Sequence, residues 1–513
     1  MTGTQIPITA RSSPISPGLD AGRSLRGSSV TSPAGRKSRY LRETLQGYVY
    51  LALLMTALTL LALSTIAAQC APAATPTLTP EPTSVVAAEA TAPPKPEATP
   101  TAEVTPTPAP VTLVFWHTQE PEAFRGKLLD GMIQDFMKEY PRITIESVFQ
   151  GDYSDLYKKI IAAIAAGTPP DLAVSYPSMI AEYMKAEAVV ELDPYINDPK
   201  IGLTEEDLKD IFPGYLAEAR FPQFGNKYFA FPFTKSFVGM WYNLGLLKEV
   251  GYDAPPRTWD EFKEMACAVS EKTDAQGYAF YISASTIDAW WYSRGVTQLN
   301  DDRTEAVFNG PKHVAALQLL KDMIDEGCAY HPEGSYADQA DFAQGKAAFT
   351  MSSTSGTYYY KENIEEADNI VTEWGQTMIP QSDPDNPVTV MYGASITVFK
   401  TTEEKQRAAW LFIKWFTDTE QTAKWGSKSG YMPVRASAAE ALADYFAENP
   451  VAKEQFETIV PYGRPEPNVR GEQEIRDFIQ DAWTAVESGV MTPQEALDEA
   501  VQKANEALAR GRE

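Results

Sequence analysis

The chain has 513 residues, enough for two or three domains of ordinary size. Its formal net charge is −25, and seven Lys/Arg against two Asp/Glu in residues 1–70 leave the remainder at −30. That field works against any nucleic-acid partner. Three cysteines without a CxxC pair, and three histidines without HExxH-type spacing, remove zinc-knuckle, thioredoxin-type and histidine-metal sites, and no cofactor is expected.

Along the chain, residues 36–42 read RKSRYLR, and Tyr48 to Ala68 is an uncharged, mostly apolar run long enough to span a bilayer. A basic cluster, an apolar run and small residues in that order make a secretory signal. The positive flank puts everything after residue 70 outside the cytoplasm. Ala67-Ala68-Gln69-Cys70 resembles a bacterial lipobox, in which the cysteine takes a lipid, although Gln69 stands where Gly, Ala or Ser is usual. Residues 1–70 are therefore expected to be a signal or anchor segment, lipidated at Cys70 or retained as an uncleaved helix. Residues 71–110 are about three-quarters Pro, Thr and Ala without an aromatic, an extended disordered linker.

From residue 111 the pattern changes. Val111 to Trp116 reads as a buried strand. Leu128, Leu129, Met132, Ile133 and Phe136 form a helical stripe stopped by Pro141. "RITIESVF" alternates as a strand, and "DLYKKIIAAIAAG" is a helix closed by Gly167. "DLAVSY" is a third strand. A second block follows: strand-rich "YFAFPFTKSFVGMWYN", then a helix opened by Thr258 and Glu261 at capping-box spacing. "HVAALQLLKDMIDEG" is helical, "KAAFTMSS" and "SITVF" are strands, and Glu403 to Trp425 reads as a helical stretch. "TPQEALDEAVQKANEALAR" is a last helix behind a Thr cap. Alternating strands and helices give an α/β class with a largely parallel sheet, whose ligand loops lie beyond the strand C-termini. Cys267 and Cys328 are two buried free thiols in the simpler reading, or one disulfide if the compartment is oxidising.

From Val111 onward the chain resembles an extracytoplasmic solute-binding protein of an ABC importer, in the carbohydrate group that includes maltose-type and glycerol-3-phosphate-type binders. The segments that carry the likeness are "FWHTQE", "AAGTPPDLAVSY", "FPFTKSFVGMWYN", "DAPPRTWDEF", "FAQGKAAFTMSSTSG", "YGASITVF", "SGYMPVR" and "TPQEALDEA", in that order. The resemblance implies a two-lobe, hinged periplasmic-binding-protein-like fold over 111–513. One lobe would hold about 111–232 and 390–428, the other about 238–388 and 432–510. Crossings would fall near Pro232–Ser236, Val388–Gly393 and Gly430–Pro433.

Sugar recognition needs flat aromatic faces and polar groups converging on one cleft. Trp116 follows the first strand and is expected to face the cleft. By resemblance, Tyr153, Ser236, Gly393 and Tyr431 match ligand positions of the glycerol-3-phosphate-type binders, and Ser352 and Ser353 match a serine-rich ligand loop. Tyr176 ends the third strand; beside it those binders place a glutamate where this chain has Pro177, which weighs against a polyol phosphate. One of Trp290 and Trp291 is expected to face the cleft, and Arg464 is the natural partner of an anionic ligand. The implied protein is a monomeric receptor, not an enzyme. It delivers a mono- or oligosaccharide, or alternatively glycerol-3-phosphate or a related polyol phosphate, to membrane permease subunits driven by a cytoplasmic ATPase. The competing class is a secreted glycosidase, which would need paired carboxylates about 5–9.5 Å apart. The chain has no GxxxxGK[ST] or GxSxG motif of its own.

Overall fold

The computed structural model of the chain describes residues 109–334 and 336–512. The leader expected at 1–70, Cys70 included, and all but the last two residues of the 71–110 tract lie outside that range. Among the described residues, no helix is long and apolar enough to cross a membrane.

The first block folds as its periodicity requires. In β1 (Val111–His117) Leu113 and Phe115 are fully buried, and α1 (Phe124–Glu139) lays Leu129, Met132, Ile133 and Phe136 into the same core. β2 (Ile143–Phe149), α2 (Tyr153–Ala165) and β3 (Leu172–Ser175) follow. The Asp152 carboxylate caps α2 by accepting the Asp155 N–H at 2.8 Å, and Gly167, at φ 72°, is the left-handed residue that ends it. After α3 (Pro177–Tyr183) and α4 (Pro213–Glu218), the short β4 (Phe231–Pro232) leads to β5 (Ser236–Asn243).

The second block holds α5 (Trp259–Lys272), β6 (Gln276–Ala279), α6 (Ala284–Tyr292), α7 (Pro311–Asp325), β7 (Ala329–Tyr330), α8 (Ala337–Ala343), β8 (Ala347–Ser353), α9 (Thr357–Glu366), β9 (Trp374–Thr377) and β10 (Thr389–Tyr392). The capping box expected at α5 is present, with Thr258 and Glu261 satisfying each other's backbone N–H. β11 (Ser395–Val398) precedes two helices, α10 (Glu403–Phe416) and α11 (Thr419–Ser429), where one had been expected. Asp418 interrupts the run because its carboxylate caps α11 through the Gln421 N–H at 2.8 Å. β12 (Gly463–Pro465), α12 (Glu472–Glu487) and α13 (Pro493–Arg512) complete the chain.

Two sheets result. The first has the order β2-β1-β3-β11-β4, parallel from β2 to β3 and antiparallel at β11 and β4. The second runs β12-β10-β5-β8-β6-β7, with β9 also paired to β5. Each sheet has its own core. Trp410, Trp415 and Trp425 belong to the first; Trp259, Trp290, Trp291 and Trp483 belong to the second. The two-lobe α/β architecture implied by the sequence is thus present.

The chain passes between the sheets at Phe233–Lys235 and at Gly393–Ala394, and the crossing strands are bonded side by side. Thr234 N–H donates to the Ala394 carbonyl at 3.0 Å, and Met432 N–H donates to the Lys235 carbonyl at 2.8 Å. Gly393 has φ 109°, and a Cβ there would lie 2.4 Å from the Thr234 carbonyl oxygen, so only glycine lets the crossings touch. Met432, Val434, Ile459 and Val460 pack in the first core, and the chain joins the second sheet at β12. The free-thiol reading is corrected. Cys267 on α5 and Cys328 ahead of β7 form a disulfide, their Cα atoms 4.6 Å apart.

Candidate functional site

A cleft of about 740 Å³ lies where the crossings meet, lined by residues of both blocks. From the first block come Tyr153, the first residue of α2, and Tyr176, which precedes α3. Both follow C-terminal ends of parallel strands, where helices begin and side chains are free of the sheet. Their rings lie 4.5 Å apart. Burial raises both phenols above their ordinary value, so they stay protonated and act as hydroxyl donors and acceptors. Pro177 begins α3 in its first turn, where its missing N–H costs nothing.

The crossings supply Ser236, Tyr392 and Gly393. Ser236 opens β5 in register with Tyr392 of β10. The end of β8 supplies Ser352 and Ser353. Trp241 Nε1–H donates to Ser352 Oγ at 3.0 Å, and Ser353 Oγ accepts the Ser355 N–H at 3.1 Å, an arrangement that holds the serine loop in place. Tyr431 lines the same cleft after α11 and stacks on Trp425, centroids 6.1 Å apart. The structure therefore gathers Tyr153, Tyr176, Ser236, Ser352, Ser353, Gly393 and Tyr431 around one volume.

Four expected residues lie elsewhere. Trp116 falls on the opposite face of β1 from Phe115, by strand alternation, and packs half-buried against the first core. Neither Trp290 nor Trp291 lines the cleft, because both are buried in the second core. Trp290 packs on Trp259 at 4.6 Å, while Trp291 packs against Phe308 and donates to the His313 carbonyl at 3.3 Å. Arg464 is exposed on β12, opposite Val390 in the sheet register, and does not line the cleft.

Sequence reasoning missed the charges and several tyrosines. Arg125, near the start of α1, donates from Nε to the Ser429 carbonyl at 2.9 Å and from Nη2 to the Ser355 carbonyl at 2.6 Å. Its guanidinium lies 5.0 Å from the Tyr359 ring centre and 4.8 Å from that of Tyr431. Arg476 of α12 lies 5.8 Å from the Tyr176 ring, pairs with Glu466, and donates to Ser285 Oγ at 3.1 Å. Ser283 caps α6 and lines the cleft with Ser285. The spacing Ser283-x-x-Thr286 ahead of an apolar run was the available signal. Tyr281 and Tyr336 stand at the cleft with centroids 6.4 Å apart. Asp338 at the start of α8 is 3% exposed and accepts from the Tyr360 hydroxyl at 3.5 Å; burial pushes its carboxyl up to about 6. Among the described residues, one group of three metal-type side chains comes together, Cys267, Glu326 and Cys328, and the disulfide occupies both sulfurs.

Chemically, the cleft offers many neutral hydroxyls, aromatic faces and two guanidinium groups, a surface for holding a small polar solute. A family model described as bacterial extracellular solute-binding protein matches residues 131–454. The sn-glycerol-3-phosphate-binding periplasmic protein UgpB of Salmonella paratyphi A is 27% identical over 432 residues, covering 78% of this chain and 93% of that protein. The protein of the same name from Escherichia coli K12 is 26% identical over 429 residues, with 78% and 93% coverage. Among solved structures, the cyclic alpha-maltosyl-1,6-maltose binding protein from Arthrobacter globiformis superposes with a TM-score of 0.66. It has 22% identity and covers 79% of this chain and all of that one. UgpB from Mycobacterium tuberculosis in complex with glycerophosphocholine gives 0.65 at 19% identity, with 79% and 99% coverage.

Proposed function

Because the chain belongs to the bacterial extracellular solute-binding protein family, which accounts for more than half its length, we propose that it is the receptor of an ABC importer. It grips one hydroxyl-rich solute between its lobes and hands it to membrane permease subunits that a cytoplasmic ATPase drives. The observation that carries this reading is the cleft itself: tyrosine and serine side chains from both blocks converge where the crossing segments meet. A solute touching both walls binds the closed arrangement better than the open one, and that difference in affinity drives closure. Tyr153, Tyr176, Ser236, Ser352, Ser353 and Tyr431 are its proposed contacts. Gly393 leaves a backbone N–H accessible there.

Two ligand classes fit. A mono- or oligosaccharide suits the size of the cleft, the tyrosine faces and the maltose-type structural likeness. Glycerol-3-phosphate or a related polyol phosphate suits the guanidinium groups and the relatives named for it. The receptor works as a monomer, binding and releasing its solute without chemistry. The apolar segment ending at Cys70 and the Pro-Thr-Ala tract would tether it to the outer face of the cytoplasmic membrane.

A thermal-shift panel of sugars, polyols and their phosphates tests the proposal. A true ligand at ~100 times its Kd should add ~2.7 kcal/mol of stability. A panel that moves nothing, together with cleavage of chromogenic glycosides, would replace the receptor reading with the glycosidase one.

A further inference from the structure

The cleft contains two guanidinium groups, and they differ in how their charge is compensated. Arg476 pairs with Glu466, so its charge is cancelled locally. Arg125 has no carboxylate partner among the described residues; it donates to two neutral carbonyls. Those bonds spend two of the five N–H donors and fix the plane of the group. The rings of Tyr359 and Tyr431 flank it and keep it partly out of water.

The local backbone adds to this charge rather than opposing it. α1 has no acidic residue in its first turn and no side-chain cap, so the positive end of the helix and the guanidinium reinforce each other. An uncompensated cation lining a cleft is an arrangement that an incoming anion would complete. Its two carbonyl partners lie on different segments, Ser429 at the end of α11 and Ser355 just after β8. An anion bound there therefore sits where those two segments meet, beside the serine loop.

We propose that Arg125 is the specificity determinant of the cleft, docking the anionic group of a polyol phosphate and placing its hydroxyls toward Ser353 and Ser355. This rests on the receptor reading above and decides between its two ligand classes. Arg464, the sequence's candidate for that role, is on an exposed strand edge.

The test is titration calorimetry of the full chain with glycerol-3-phosphate, glycerol and maltose, on wild type, Arg125→Gln and Arg125→Lys. Glycerol-3-phosphate should bind the wild type, more weakly as salt rises. Affinity should fall at least about tenfold in Arg125→Gln and less in Arg125→Lys, which keeps the charge but loses the forked geometry. Thermal melts report whether each variant is folded. If Arg125→Gln is not, the salt dependence of the wild type and the partial loss in Arg125→Lys still decide the matter. Wild type binding maltose but not glycerol-3-phosphate, or phosphate binding unchanged in both variants, would overturn the assignment and leave the receptor reading standing. If none of the three probes binds, and the wider panel is equally silent, the receptor reading fails and takes this assignment with it.

Discussion

Asp338 illustrates how one buried side chain writes a pH dependence into the protein. Its carboxyl is raised to about 6, chiefly by burial, with Asp341 adding to the effect and Tyr360 opposing it. The unfolded chain releases that proton near 3.9. Between those values the native state holds more protons than the unfolded one, so stability falls as pH rises through the window and stays lowered above it. The penalty at neutral pH is on the order of 2–3 kcal/mol. Asp338→Asn keeps an acceptor for Tyr360 and removes the charge. It should melt higher than wild type at pH 8 and about level with it at pH 4. Equal melting differences at both values would show that burial does not govern this group. The residue scale is also where the sequence was least informative. Nothing in "EPEAFRGK" marks Arg125 as a cleft residue, because its placement comes from carbonyls 230 and 304 positions away. Trp290 and Trp291 failed for the converse reason: a dense aromatic pair looks like a binding surface until both rings prove to be buried in the second core.

At the scale of elements, the crossings between the sheets depend on a buried ion pair. Lys235 lies fully buried between β4 and β5 and pairs with Glu218 of α4. Its Nζ also donates to the Gly393 carbonyl at 3.1 Å and to Ser395 Oγ at 3.0 Å. One ammonium thus ties both crossings to a helix of the first block. Burial lowers Lys235 and raises Glu218, so each depends on the other to remain charged. Lys235→Met alone should cost about 3–5 kcal/mol in urea unfolding, because it strands the carboxylate. Adding Glu218→Gln should recover most of that loss. A double variant as unstable as the single one would mean that the ammonium acts through packing and not through charge. The local elements themselves were largely legible: apolar spacing located α1, α2 and α7, and the Thr258–Glu261 pair located the start of α5. The break at Asp418 was not, since the same residue fits a helix interior or a cap and only its bond to the Gln421 N–H distinguishes them.

For the whole molecule, the disulfide and the compartment belong together. Cys267 and Cys328 are 61 positions apart, and closing so long a loop constrains the unfolded chain strongly. Replacing both with serine should lower stability by about 2–5 kcal/mol, read from denaturant midpoints. Thiol titration of the denatured, unreduced protein should find neither Cys267 nor Cys328 free; two free thiols there would refute the bridge. A bridge of this kind suits a protein that folds outside the cytoplasm, as its family does.

The sequence by itself determined most of the strands and helices, the α/β class, the family resemblance and part of the hydroxyl-bearing wall of the cleft, namely Tyr153, Tyr176, Ser236, Ser352, Ser353 and Tyr431. The elements follow from periodicity and caps, which are local along the chain, and the family and wall residues follow from the resemblance of its motifs. Tertiary structure alone decided which tryptophans are core, that two cysteines meet, and which arginines line the cleft. Each of these depends on contacts between segments far apart in sequence, and no local pattern encodes which distant carbonyl, thiol or ring a side chain will meet.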